Sequence, residues 1–60
     1  MMRWYNVELN RVEADGLKRI LHNNDVKYET SQADAMVHFE IFLKEGGEEY
    51  RKINAYLSTN

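Results

Sequence analysis

From Met36 to Leu43 the sequence alternates without a fault: Val37, Phe39, Ile41 and Leu43 are apolar, with Met36, His38, Glu40 and Phe42 between them. Successive side chains of a strand point to opposite faces, so this run is a strand with one wholly apolar face. That face has to be covered, and a chain of 60 residues has little material to cover it with. A domain of that size buries only roughly 60% of the surface its unfolded form exposes. Small domains commonly add disulfides, a metal or a partner subunit. No cysteine occurs, which excludes disulfides, thiolate zinc sites and cysteine catalysis together. Oligomerisation remains open as a staple.

Two further segments read as strands. In residues 3 to 9, Tyr5, Val7 and Leu9 point one way and Trp4, Asn6 and Glu8 the other. From Val26 to Ser31, Val26, Tyr28 and Thr30 oppose Lys27, Glu29 and Ser31. Between them, Val12 or Ala14, Leu17, Ile20 and Leu21 share one face at helical spacing. Asn10, three residues before Glu13, resembles the start of a capping box. Gly16 costs up to about 1 kcal/mol relative to alanine inside a helix, so loose first turns are expected. The run His22-Asn23-Asn24-Asp25 stops the helix, with an asparagine in the left-handed conformation and His22 complementing the dipole. Gln32 to Ala35 reads as a short polar connection and Lys44 to Gly47 as a turn. Glu48 and Glu49 suit the first turn of a second helix, whose stripe is Tyr50, Ile53 and Leu57 with Tyr56 beside it; Ser58-Thr59-Asn60 is expected to fray. No proline marks a linker and no segment repeats, so residues 1–60 read as one small α+β domain.

The order β-α-β-β-α resembles the split β-α-β arrangement of ferredoxin-like domains with the last strand lacking. ACT-like regulatory domains, RNA-recognition domains and small accessory proteins share that order. The resemblance implies an antiparallel three-stranded sheet with two helices on one face. In it the first and third strands pair, the second lies outside the third, and the first is left as an open edge. The expected core is Val7, Leu9, Leu17, Leu21, Phe39, Ile41 and Ile53. The helix-free face carries Trp4, Asn6, Glu8, Lys27, Glu29, Ser31, Met36, His38, Glu40 and Phe42.

Function is sought on that face. Trp4 and Phe42 would sit where RNA-recognition domains stack bases. Glu8, Glu29 and Glu40 share the face with only Lys27 opposing them, and the net charge is −2; phosphate contacts normally carry much of nucleic-acid affinity. Aromatics buried against another protein fit better. His38 and Glu40, two apart on one strand with Glu29 near them, have the residue types of a zinc or proton-transfer site. A cross-strand polar pair on a sheet face explains them better. Neither Ser31 nor Ser58 lies on a sharp glycine turn, and Gly46-Gly47 lacks the Lys-Ser/Thr of a phosphate loop. So short a chain also has little room for a pocket of about 300 Å³ or more. No catalytic residue, metal or cofactor is expected. No apolar run reaches the roughly 18 residues of a membrane helix, and Met1 to Asn6 turns polar too soon for a secretory signal, so a cytoplasmic location is expected.

The reading that results is a small, non-enzymatic protein-interaction or regulatory module, of the type that phages and bacteria use to adjust a larger enzyme. Its candidate interaction residues are Trp4, Asn6, Glu8, Met36, His38, Glu40 and Phe42, with the edge of residues 3–9. The partner is another protein or its own copy, the latter as a homodimer through residues 3–9. The alternatives are an ACT-like small-ligand sensor at a dimer interface and, behind it, an RNA-binding sheet.

Overall fold

The computed structural model describes residues 1–58. The elements are β1 (Met2–Asn10), α1 (Arg11–Asn23), β2 (Lys27–Ala33), β3 (Met36–Lys44) and α2 (Glu48–Ser58). β3 lies between β1 and β2 and is antiparallel to both. This is the α+β, ferredoxin-like order without a last strand, and it leaves β1 and β2 as the two edges of the sheet.

The register runs without interruption from Met2↔Lys44 to Asn10↔Met36 on one side of β3 and from Lys27↔Phe42 to Ala33↔Met36 on the other. Residues directly opposite share a face, so Tyr5, Val7, Leu9, Tyr28, Val37, Phe39, Ile41 and Leu43 form one face as the alternation requires. Against it pack Ala14, Leu17 and Leu21 of α1 and Ile53 of α2, with Phe39, Ile41, Leu17 and Leu21 fully buried. Ala14, Val37 and Leu43 join the expected core, while Val12 points to solvent. Val7 is a correction: it is half-buried and packs against the core from outside it. It lies on the outermost strand, with no neighbouring strand on its far side.

α1 begins at an N-cap in which Asn10 Oδ1 accepts from the Glu13 N–H at 2.9 Å. It ends in a Schellman arrangement: Val26 N–H donates to Leu21 C=O at 3.0 Å and Asp25 N–H to His22 C=O at 3.2 Å. Asp25 (φ 54°), not an asparagine, takes the left-handed conformation. The expected looseness around Gly16 is also corrected. A Cβ there would collide with the Tyr56 hydroxyl, which donates to Glu13 C=O at 2.7 Å. The glycine lets α2 come against α1, and α1 runs unbroken through it from Arg11 to Asn23.

β2 begins and ends later than its alternation suggested. Val26 is taken up by the helix terminus, whereas Gln32 and Ala33, expected in a connection, pair with Val37 and Met36. Only Asp34 and Ala35 remain as the hairpin loop, with Asp34 at φ 56°, the positive value that tight hairpins need at this position. Gln32 Nε2 donates to Asp34 C=O at 2.9 Å. Gly46 (φ 72°) supplies the same freedom in the turn before α2. Ser58 closes α2; the fraying expected of Thr59 and Asn60 lies outside the described residues. No helix among the described residues is long and apolar enough to cross a membrane.

Candidate functional site

The β1 edge can be resolved to individual backbone groups. Glu45 N–H donates to Met1 C=O at 3.1 Å, just beyond the pair Met2↔Lys44. Hydrogen-bonded and non-bonded pairs alternate along an antiparallel ladder. Arg3, Tyr5, Val7 and Leu9 therefore bond to β3, while Met2, Trp4, Asn6 and Glu8 turn their N–H and C=O groups outward. The residues with free backbone groups are also those whose side chains lie on the helix-free face. Carried across β3, the same alternation turns Tyr28, Thr30 and Gln32 of β2 outward, and these belong to the helix-covered face.

Apolar side chains flank the β1 edge on both faces near its Met2 to Val7 portion, interrupted by Arg3 and Asn6. On the helix-free face Trp4 stays 44% exposed beside Met2 at 49%. Trp4 and Phe42 are opposite each other, ring centroids 4.9 Å apart and tilted by 41°. Lys27 Nζ stands 5.9 Å from the Trp4 ring centroid, within cation–π range. On the helix face, a groove of about 200 Å³ runs between β1 and α2, lined by Tyr5, Val7, Tyr50, Ile53 and Leu57 among others. The Tyr5 and Tyr50 rings lie 5.2 Å apart at its end. Burial above all, then Glu45 and Tyr50, holds the Tyr5 phenol above its ordinary pKa, with Arg3 opposing. Arg3 itself pairs with Glu45 at 3.1 Å on an exposed rim.

The middle of the helix-free face is polar and acidic. His38 Nε2 is 3.2 Å from Asn6 Oδ1, and its Nδ1 is 3.8 Å from Glu8 Oε2. Glu40 has Asn6 on one side and Glu29 on the other, so two carboxylates face each other across β2 and β3. Like charges so placed are mildly destabilising. Among the described residues no group of three or more metal-ligating side chains comes together. Met36, partnered with Asn10 and Ala33, lies at the far end of β3 from Phe42. At roughly 3.4 Å per residue that separation is about 20 Å, so Met36 does not join the Trp4–Phe42 cluster. The candidate residues thus divide into an aromatic end, an acidic centre and an isolated Met36.

Two features escaped the sequence reading. One is the β1–α2 groove, whose only signal in the sequence is the apolar stripe of Tyr50, Ile53 and Leu57. The other is a depression of about 370 Å³ lined by Met2, Asp25, Lys27, Phe42, Lys44 and Glu49 among others. Its volume exceeds the little room expected of so short a chain. It is open to solvent, and its lysines and carboxylates balance in sign. Compared with family models, with curated proteins and with solved structures, the chain matched none.

Proposed function

We propose that the chain is a non-enzymatic protein-interaction or regulatory module that binds through the edge of β1 and the adjoining helix-free face. One observation carries this reading: Met2, Trp4, Asn6 and Glu8 turn unpaired backbone groups outward, next to exposed Met2 and Trp4 side chains and an apolar groove. Open edges recruit strands, and main-chain pairing combined with side-chain pockets is a general mode of peptide recognition. Trp4 is an aromatic of the sort that anchors interfaces. The acidic centre of Glu8, Glu29 and Glu40 speaks against a phosphate backbone as the partner, and Lys27 already stands over the Trp4 ring a base would need.

Affinity capture from the native host extract tests the reading. The parent protein is expected to retain a defined protein, its own copy included, and Asn6→Pro to lose it while Met36→Ala keeps it. Equal retention by the parent and Asn6→Pro would overturn the edge as the binding element. The depression beside Met2 and Phe42 favours, as a second reading, a small-ligand sensor; thermal stabilisation by amino acids or nucleotides would support it.

A further inference from the structure

We infer that the occupant of the β1 edge is the β1 strand of a second copy, paired antiparallel about a two-fold axis through Asn6; this rests on the interaction reading above and names its partner. The site sets three requirements on an incoming strand. It must offer outward-facing N–H and C=O groups at alternate positions, apolar side chains toward the groove, and no charge opposite a like charge. β1 meets all three. Its outward groups are those of Met2, Trp4, Asn6 and Glu8, and its groove-lining residues Tyr5 and Val7 are apolar, the charged Arg3 of that face lying at the end of the strand in an ion pair with Glu45. β2, the chain's other edge, presents Tyr28, Thr30 and Gln32 to that side and fits less well.

Full overlap of two Met2–Asn10 strands places the axis at Asn6, so that Trp4 meets Glu8, Tyr5 meets Val7 and Arg3 meets Leu9 of the second copy. The outward groups then fall in register with one another, because all belong to even-numbered positions. Neither Arg3 nor Glu8 faces its own counterpart. The two Glu8 residues stand four positions apart along the strand, roughly 13 Å, beyond the screening length of about 10 Å at moderate salt. The two Asn6 side chains face each other on the axis. Each Oδ1 is engaged by His38, and each amide nitrogen is left to donate across the interface.

The area also fits. The molecule measures 32 × 21 × 18 Å, and nine strand residues account for its long axis. The flank carrying β1 and the α2 side of the groove measures at most roughly 600 Å² in projection (32 × 18 Å), at the low end of the roughly 600–1,000 Å² per partner of a standard interface. That area is reached only if Tyr50 and Leu57 are covered together with the strand, as a continuous sheet of two copies would do. The pairing is isologous and closes, giving a dimer and no filament.

Sedimentation equilibrium at micromolar concentration is the test. The parent is expected at twice 7.2 kDa, with amide exchange of Trp4, Asn6 and Glu8 slowing as concentration rises. Asn6→Pro removes both backbone bonds on the axis and is expected to sediment as a monomer. Asn6→Asp sets two carboxylates against each other on the axis and raises the dissociation constant several-fold; mixing it with Asn6→Lys restores association. A parent that is monomeric, with fast exchange at those amides at every concentration, overturns self-pairing. If that monomer still retains a different protein through Asn6 in the capture experiment, the interaction reading stands and only the second copy is excluded. A dimer unaffected by Asn6→Pro places the interface elsewhere, and a mixture that fails to restore association removes the axis from Asn6; both overturn the inference.

Discussion

The two edges of the sheet flank the same central strand, and each leaves alternate backbone groups unpaired, yet their surroundings differ. Along β2 nearly every residue is exposed and the side chains are polar or charged, Lys27, Glu29, Ser31 and Gln32 among them. Along β1 the outward residues Asn6 and Glu8 are polar too, but the open groups also sit beside exposed Met2 and Trp4 on one face and the half-buried Tyr5 and Val7 on the other. Charged and polar side chains blunt an edge against chance pairing; apolar neighbours give an incoming strand something to bury. The difference teaches that an open edge is not by itself a binding site. What matters is which side chains the ladder's alternation places beside the free backbone groups.

The strongest way to break the comparison is to remove what both edges share. Phe39 is fully buried in β3, opposite Val7 and Thr30. Phe39→Ala is expected to cost about 3–5 kcal/mol, most of the stability of a domain this small, and urea unfolding should show β1 and β2 lost together. A variant melting within a few degrees of the parent would mean that the core is organised around other residues.

A pair of prolines isolates the β1 edge. Val7→Pro deletes a donor to β3 and leaves its acceptor unpaired, a loss of about 1–3 kcal/mol before the packing of Val7 is counted. Asn6→Pro, one residue away, deletes an outward donor and should cost less than about 1 kcal/mol in the monomer. Equal losses in melts run at concentrations where the parent is monomeric would show that the assignment of outward and inward groups is wrong. On β2 the same parity makes Thr30→Pro the tolerated substitution and Ser31→Pro the damaging one.

A smaller effect is expected in the helix layer beneath both edges. Gly16→Ala gains helix propensity, up to about 1 kcal/mol, but drives a methyl group into the Tyr56 hydroxyl. Overpacking of this sort costs about 1–3 kcal/mol, so a net loss of about 1 kcal/mol is expected. Tyr56→Phe should recover only part of the loss, because the ring carbon Cζ would still lie 2.9 Å from the added methyl, and a chemical-denaturation cycle over the two positions measures the coupling.

The smallest effect is a pH dependence confined to the β1 side. The Tyr5 phenol is harder to ionise in the folded protein than in the unfolded chain, chiefly through burial. Below the unfolded phenol's pKa of about 10 both states hold the proton and the contribution to stability is complete. As pH rises past that value the unfolded chain loses its proton first, so stability falls until the folded phenol ionises as well. Tyr5→Phe should flatten the alkaline limb of a melting curve; an unchanged limb would assign the dependence to another group.

Much of this architecture is legible in the sequence because strand periodicity is a local property. The alternation from Met36 to Leu43 sets its two faces without reference to anything else, and Tyr5-Val7-Leu9 and Asn10-x-x-Glu13 do the same for β1 and the start of α1. The errors fall where one element decides another's fate. Val26 alternates with β2 but is claimed by the helix terminus, and Gln32 and Ala33 look like a loop but are held in the strand by β3. Gly16 reads as a local weakness because its reason, the Tyr56 ring, is 40 positions away in the sequence. Of the candidate site residues, Trp4 and Phe42 come together as their facing implied, and Asn6, Glu8 and His38 meet through side-chain contacts. Met36 shares their face and nothing more, since facing specifies a side of the sheet and not a position along it.

The sequence by itself determined which side chains are apolar neighbours along each element, and hence the element types, their order and the two faces of the sheet. The strand order β1-β3-β2 is what the resemblance in element order implies; only the tertiary structure decided the close approach of α2 to Gly16 and the groove beside Tyr5 and Val7. It also decided that the outward backbone groups of β1 belong to Met2, Trp4, Asn6 and Glu8. The physical reason is the range over which each constraint acts. Periodicity is fixed by the backbone geometry of a few consecutive residues, whereas ladder parity and groove shape depend on how segments far apart in the chain are placed against one another.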